Sequence, residues 1–179
     1  MALSREQITQ AALRILRSYG LADLSMRRIA AELSVQPSAL YWHVQNKQEL
    51  LVLTATSILE FCRGEDVPTL ARSIRAALSS VRDGADVALI AVPASKEPLP
   101  GLAELPVMLQ AAGLAEQEAE WGARTLMHHI LAAVAEEQNA AALGADLDPR
   151  ASEAFDFGVR AILKGVGAEK AAVDEPTLF

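Results

Sequence analysis

The sequence is short of the residues that most often announce chemistry. Among its 179 residues there is a single cysteine, Cys62, so neither an intramolecular disulfide nor a cysteine-cluster metal site can form. Aromatic residues make up only 4% of the chain. No window approaches the roughly 18 consecutive apolar residues of a membrane-spanning helix. The opening MALSREQITQ has no basic stretch followed by an apolar run, so no secretory leader is expected in it. These absences together read as a cytoplasmic chain with no membrane partner. G-x-S-x-G, P-loop, H-E-x-x-H and dinucleotide fingerprints are also missing, and nothing pairs a nucleophile with a base. An enzyme is therefore not expected, although a helical enzyme without a motif stays as an alternative. No cofactor and no metal are implied.

What is present points to helices. Hydrophobic residues account for 51% and charged residues for 22%, a globular profile. The 34 alanines favour an all-α chain, since alanine is the strongest helix former. The net charge of −7 is unevenly spread: residues 1–50 carry +2 and residues 51–179 carry −9. A mildly basic head on an acidic body suits a nucleic-acid reader with a separate second function.

The head resolves into four short helices. Ser4 and Gln7 have capping-box spacing. Ile8, Ala12, Ile15, Leu16 and Tyr19 follow at helical spacing, and Gly20 is a natural stop. Ser25 caps a second helix built on Met26, Ile29, Ala30 and Leu33, and Ser34-Val35-Gln36 makes a tight turn. A third helix is expected over residues 37–44, with Pro37 in its first turn, where a missing N–H costs nothing. Asn46, with Glu49 three residues on, caps a fourth helix running to about Cys62. Further helices are expected at about 69–80, 84–91, 102–111, 115–138 and 152–164. The prolines and glycine between Val92 and Gly101 predict a loop, and residues 139–150 another. The tail from 171 to 179 is expected to fray.

Two short helices joined by about three residues form the helix-turn-helix layout, whose second helix enters the major groove of DNA. At 100° per residue, Pro37, Leu40 and Val44 cluster on one side of the third helix, which is taken as buried. Ser38, Ala39 and Trp42 point away, flanked by Tyr41 and His43. Ser38 can hydrogen-bond a base edge and Ala39 can touch a thymine methyl. Tyr41, His43 and Lys47 can donate to phosphate oxygens. The bland alternative is an aromatic cluster packed on a neighbouring helix, with Arg27 and Arg28 simply solvated.

Residues 24–51, LSMRRIAAELSVQPSALYWHVQNKQELL, resemble the DNA-binding domain of the TetR (tetracycline repressor) family. Arg27-Arg28, Ile29-Ala30, Leu33, Val35, Leu40-Tyr41-Trp42-His43-Val44 and Asn46-Lys47 carry the match. Arg75-Ala76-Ala77-Leu78, Arg82-Asp83-Gly84-Ala85, His128 with Glu136, and Phe155-x-Phe157-Gly158 are similar to the body of the tetracycline repressors. The resemblance implies an all-helical homodimer with a helix-turn-helix domain over 1–50 and an effector-binding and dimerisation domain over 51–179. It implies repression of transcription at a double-stranded DNA operator, relieved by a small-molecule effector. It places Arg27, Arg28, Tyr41, His43 and Lys47 at phosphate contacts, Ser38 and Ala39 at base-reading positions, and Trp42 against the DNA backbone. Ser34 departs from the glycine usual in that turn; serine in a left-handed conformation costs about 1 kcal/mol.

The effector site departs further. Tetracycline repressors hold a magnesium–drug complex with a histidine that aligns with Ala88, and their other polar drug contacts align with Arg63, Leu70, Ile74 and Val92. The resemblance therefore implies an apolar effector held without metal, against Ile74, Leu78, Val92, Met108, Trp121 and His128. The alternative is a DNA-binding protein without ligand response. His128 and Glu136 are about 12 Å apart along a helix, too far to share one ion. His128 is read as a pocket or core histidine and His129 as surface or interface; Trp121, Met108 and Met127 suit a core better than a ligand wall. The apolar faces of helices 115–138 and 152–164 read as a four-helix dimer interface, the alternative being an internal core.

Overall fold

The computed structural model describes residues 3–168, and every regular element in that range is helical. In order these are α1 (Arg5–Tyr19), a 3-10 turn (Leu21–Asp23), α2 (Met26–Glu32), α3 (Pro37–Leu40), α4 (Lys47–Leu59), α5 (Val67–Ser79), α6 (Gly84–Ala94), α7 (Glu104–Ala111), α8 (Glu116–Ala142) and α9 (Ala151–Gly165). No helix among the described residues is long and apolar enough to cross a membrane. The chain forms two compact units, divided between Glu60 and Phe61, between Ala76 and Ala77, and between Leu99 and Pro100. The expected tail at 171–179 lies outside the described residues.

The first unit holds α1 to α4 together with α6. Its caps are those the sequence spacing predicts. Ser4 Oγ accepts from the Gln7 N–H at 3.2 Å while the Ser4 N–H donates to Gln7 Oε1 at 3.0 Å. Ser25 Oγ accepts from the Arg28 N–H, and Asn46 Oδ1 from that of Glu49. Ile8 and Leu16 of α1, Ile29 of α2, Leu40 of α3 and Leu50 and Leu59 of α4 are fully buried. α4 also packs along α6, where Val87, Ala88 and Ala91 are buried.

The turn after α2 is a Schellman motif. The Ser34 N–H donates to the Ala31 carbonyl and the Val35 N–H to the Ala30 carbonyl at 2.9 Å. Ser34 itself is left-handed, with φ 55°. A second junction joins α6 to the end of α1. Asp83, also left-handed at φ 57°, accepts the Leu21 N–H on its Oδ2 at 2.6 Å. Gly20 lies beneath it at φ 85°, where a Cβ would come within 2.6 Å of that same oxygen.

In the second unit α7 and α9 pack on the long α8. Leu105 and Leu109, Leu126, Ile130 and Val134, and Phe155, Val159 and Leu163 are buried from the three helices in turn. Arg75 reaches Glu137 through its Nε at 3.2 Å and lies over the Phe155 ring at 4.9 Å. Cys62 is buried, and loss of hydration pushes its thiol pKa up, which suits a packing role.

Several boundaries differ from expectation. α3 ends at Leu40, not Val44, because the N–H groups of both His43 and Val44 converge on the Leu40 carbonyl at 2.9 Å and close the last turn early. Pro37 is exposed, so the buried side of α3 consists of Leu40 and Val44. α6 continues through Pro93 to Ala94 instead of yielding to a loop at Val92. A proline in the last turn forfeits one bond that the helix end can spare. α8 runs four residues past 138, to Ala142, carried by alanines.

Replacing Ser34 with glycine removes the left-handed penalty and keeps both Schellman bonds. Urea denaturation is expected to show a gain of no more than about 0.5 kcal/mol, once glycine's larger unfolded-state entropy, about 0.4–1 kcal/mol, is subtracted from the penalty of about 1 kcal/mol.

Candidate nucleic-acid interface

The eight head residues singled out from the sequence lie on or near the surface of the first unit. Leu40 and Val44 are fully buried, so the residues between them must turn outward. Tyr41 is 51% exposed and Trp42 89% exposed. A tryptophan left almost wholly in water is unusual unless something covers it in use. Ser38 and Lys47 are exposed, while Ala39 and His43 are half-buried.

The two arginines of α2 are not equivalent. Arg28 is tied down: its Nη1 donates to Asp23 Oδ1 at 3.0 Å, and its guanidinium sits 4.0 Å over the Tyr19 ring. Arg27 is exposed and makes no ion pair among those found in the described residues. Arg27 is thus uncommitted, whereas the direction of the Arg28 guanidinium is set by Asp23 and Tyr19.

Sequence reasoning missed Arg5 and the full role of Glu49. The Arg5 Nε donates to the His43 carbonyl at 2.8 Å, and its Nη2 to Glu49 Oε1 at 3.1 Å. Glu49 Oε2 in turn accepts the Gln45 N–H at 2.7 Å. Glu49 was legible only as a helix-capping partner. Arg5 gave no local signal, because its partners lie about 40 residues away.

The six effector candidates differ in burial. Ile74 and Leu78 are fully buried. Val92 and Met108 are half-buried, and Trp121 and His128 are exposed. The expected roles of the two histidines are reversed. His129 is the inner one, stacked on Phe155 with centroids 5.1 Å apart and its Nε2 3.0 Å from the Phe155 carbonyl. Gly158 makes room for it, since a Cβ there would collide with the imidazole ring. Trp121 likewise is not a core residue. A cavity of about 470 Å³ does lie between α8 and α9, against His129, Glu136, Glu137, Leu147 and Phe155, and none of the six candidates lines it. Ala88, where tetracycline repressors carry a metal ligand, is buried and offers no donor atom. Among the described residues no three His, Cys, Asp or Glu side chains gather.

A capped helix pair that buries one side of a very short helix and turns aromatic, hydroxyl and cationic groups outward is a helix-turn-helix reader of duplex DNA. Residues 8–53 match the family model for bacterial regulatory proteins, tetR family, and residues 64–154 match that for the tetracyclin repressor-like C-terminal domain. The tetracycline repressor protein class G of Vibrio anguillarum is 32% identical over 171 residues, spanning 89% of this chain and 78% of that protein. A crystal structure of BioQ with its double-stranded DNA operator is 31% identical with a TM-score of 0.80, covering 93% of this chain and 99% of that one. A TetR variant from Acinetobacter baumannii AYE, in complex with minocycline, is 30% identical with a TM-score of 0.77, covering 92% and 97%. The chain belongs to the tetR family. It is a TetR-like DNA-binding repressor, a transcription factor and not an enzyme.

The exposure of Lys47 sets one expectation. Lys47→Ala should weaken binding to all duplex sequences alike and lower the slope of log K against log salt by about 1, measured by fluorescence anisotropy across a salt series.

Proposed function

We propose that this repressor binds its operator as a homodimer and is released by an apolar small molecule held without metal. Arg27, Tyr41, His43 and Lys47 contact phosphates, with Arg28 joining them once it leaves Asp23. Ser38 and Ala39 read base edges, and Trp42 packs against the sugar-phosphate backbone. The observation that carries this reading is the 89% exposure of Trp42 beside Tyr41, an aromatic edge left uncovered by the described residues.

The dimer reading is supported by the surface of the second unit. Trp121, Thr125, His128, Ala132 and Asn139 are all exposed on α8 and fall within about 60° of one another, forming a stripe without charge. Phe157, 68% exposed, adds an apolar side chain from α9. Such a stripe on an acidic body suits a two-fold contact between identical faces. Two copies would present their α3 helices about 34–36 Å apart, one turn of B-DNA. Trp121 and His128 thereby move from the effector wall to the contact between copies.

The apolar character of the effector is supported position by position: Leu70 and Ile74 in the second unit, and Ala88 in the first, are each fully buried and apolar where the resemblance places polar drug contacts of the tetracycline repressors. Such a molecule can release DNA only by binding the DNA-incompetent arrangement more tightly. BioQ with its operator and the TetR variant with minocycline show the two kinds of ligand among similar proteins.

Two measurements test this. Sedimentation should give a mass twice the 19.1 kDa chain, and Phe157→Glu should halve it and abolish tight operator binding. Selection of duplexes from a random library by the wild-type protein should return a two-fold symmetric site. Tyr41→Ala should weaken binding to every duplex, whereas changing Ala39 should alter which sequences are selected. A monomer that selects no sequence would overturn the reading.

A further inference from the structure

The segment that joins α3 to α4 is closed by a side chain from the first turn of α1. Arg5 bridges a group on that segment, the His43 carbonyl at 2.8 Å, and one on the first turn of α4, Glu49 Oε1 at 3.1 Å. Glu49 bridges two more, Arg5 and the Gln45 N–H, the latter at 2.7 Å. Its own N–H is taken by Asn46 Oδ1 at 2.8 Å. The main-chain groups on either side of the buried Val44 are thus satisfied by one arginine and one glutamate, 44 residues apart.

As an exposed ion pair this contact would contribute little to stability. Its geometry says more than its charge. A planar guanidinium that serves a carbonyl and a carboxylate at once fixes the angle between them. That angle relates the Tyr41–His43 turn to Lys47, the two halves of the outward edge. We propose that Arg5 and Glu49 are positioning residues that set the shape of the DNA-reading edge, and are not themselves phosphate contacts. This rests on the reading of that edge as the DNA-contacting surface.

Charge and positioning predict opposite signs, which makes the pair testable. Glu49 is an anion near an edge that meets phosphates. Removing it would strengthen DNA binding if charge alone mattered. It would weaken binding if the carboxylate holds the edge in shape.

The experiment is a fluorescence anisotropy titration of the duplex selected by the wild-type protein, repeated across a salt series. The variants are Glu49→Ala, Arg5→Gln, Arg5→Lys and the double variant Arg5→Gln/Glu49→Ala. Circular dichroism confirms that each retains its helix content at the assay temperature, and Arg5→Lys serves as the variant least able to disturb folding. Glu49→Ala is expected to bind about 3- to 10-fold more weakly despite the lost negative charge. Arg5→Gln should weaken binding to a similar degree with the salt slope unchanged. Arg5→Lys should not rescue it, since an ammonium cannot span both partners. The double variant should be no weaker than the worse single one. Tighter or unchanged binding by Glu49→Ala, a salt slope lowered by about 1 in Arg5→Gln, or rescue by Arg5→Lys would each overturn the proposal. A wild-type protein that binds no duplex would instead overturn the reading beneath it and take this proposal with it.

Discussion

Two buried side chains, Leu40 and Val44, hold the outward edge of the head in place. A helix of four residues has no stability of its own, because nucleation costs more than so few bonds return. α3 exists because Leu40 enters the head's core and Val44 follows it, both without any remaining exposure. With those two directions taken, Tyr41, Trp42 and His43 are left on the other side. The same burial that makes the element possible therefore decides which groups it offers. Ser34, in its strained conformation, sets where the element begins.

Electrostatics works locally here and not across the whole molecule. The chain as a whole is acidic, and a duplex approaching at random would be repelled. The modest positive balance of residues 1–50 is concentrated by pairing. Arg5, Arg14 and Arg28 each spend charge on a carboxylate of the head, while Arg27 and Lys47 remain available beside the aromatic edge. The acidic balance of residues 51–179 then argues against indiscriminate coating of nucleic acid.

How much of this was legible in the sequence depends on the range over which each signal acts. Caps at Ser4, Ser25 and Asn46 involve residues three apart, and all three were readable. So was the left-handed Ser34, once the turn was placed. The end of α3 was not, because two N–H groups share one carbonyl in a way that periodicity does not reveal. The run of α6 past Val92 was hidden by Pro93, whose effect depends on how near the helix end it falls. His128 and His129 adjoin on α8; periodicity sets His128 on the exposed stripe with Trp121 and Ala132, while the room for His129 comes from Gly158 on another helix. Arg5 has partners about 40 residues distant, and no pattern along the chain connects them.

The Asp83 carboxylate has a mechanical consequence. It holds the Leu21 amide at 2.6 Å from a backbone conformation that few residues tolerate, above a glycine that leaves no space for slippage. A rotation of the first turn of α6 would strand that amide or drag the end of α1 along with it. That one bond ties the first turn of α6 to the end of α1, so a displacement of either has the other as its nearest load.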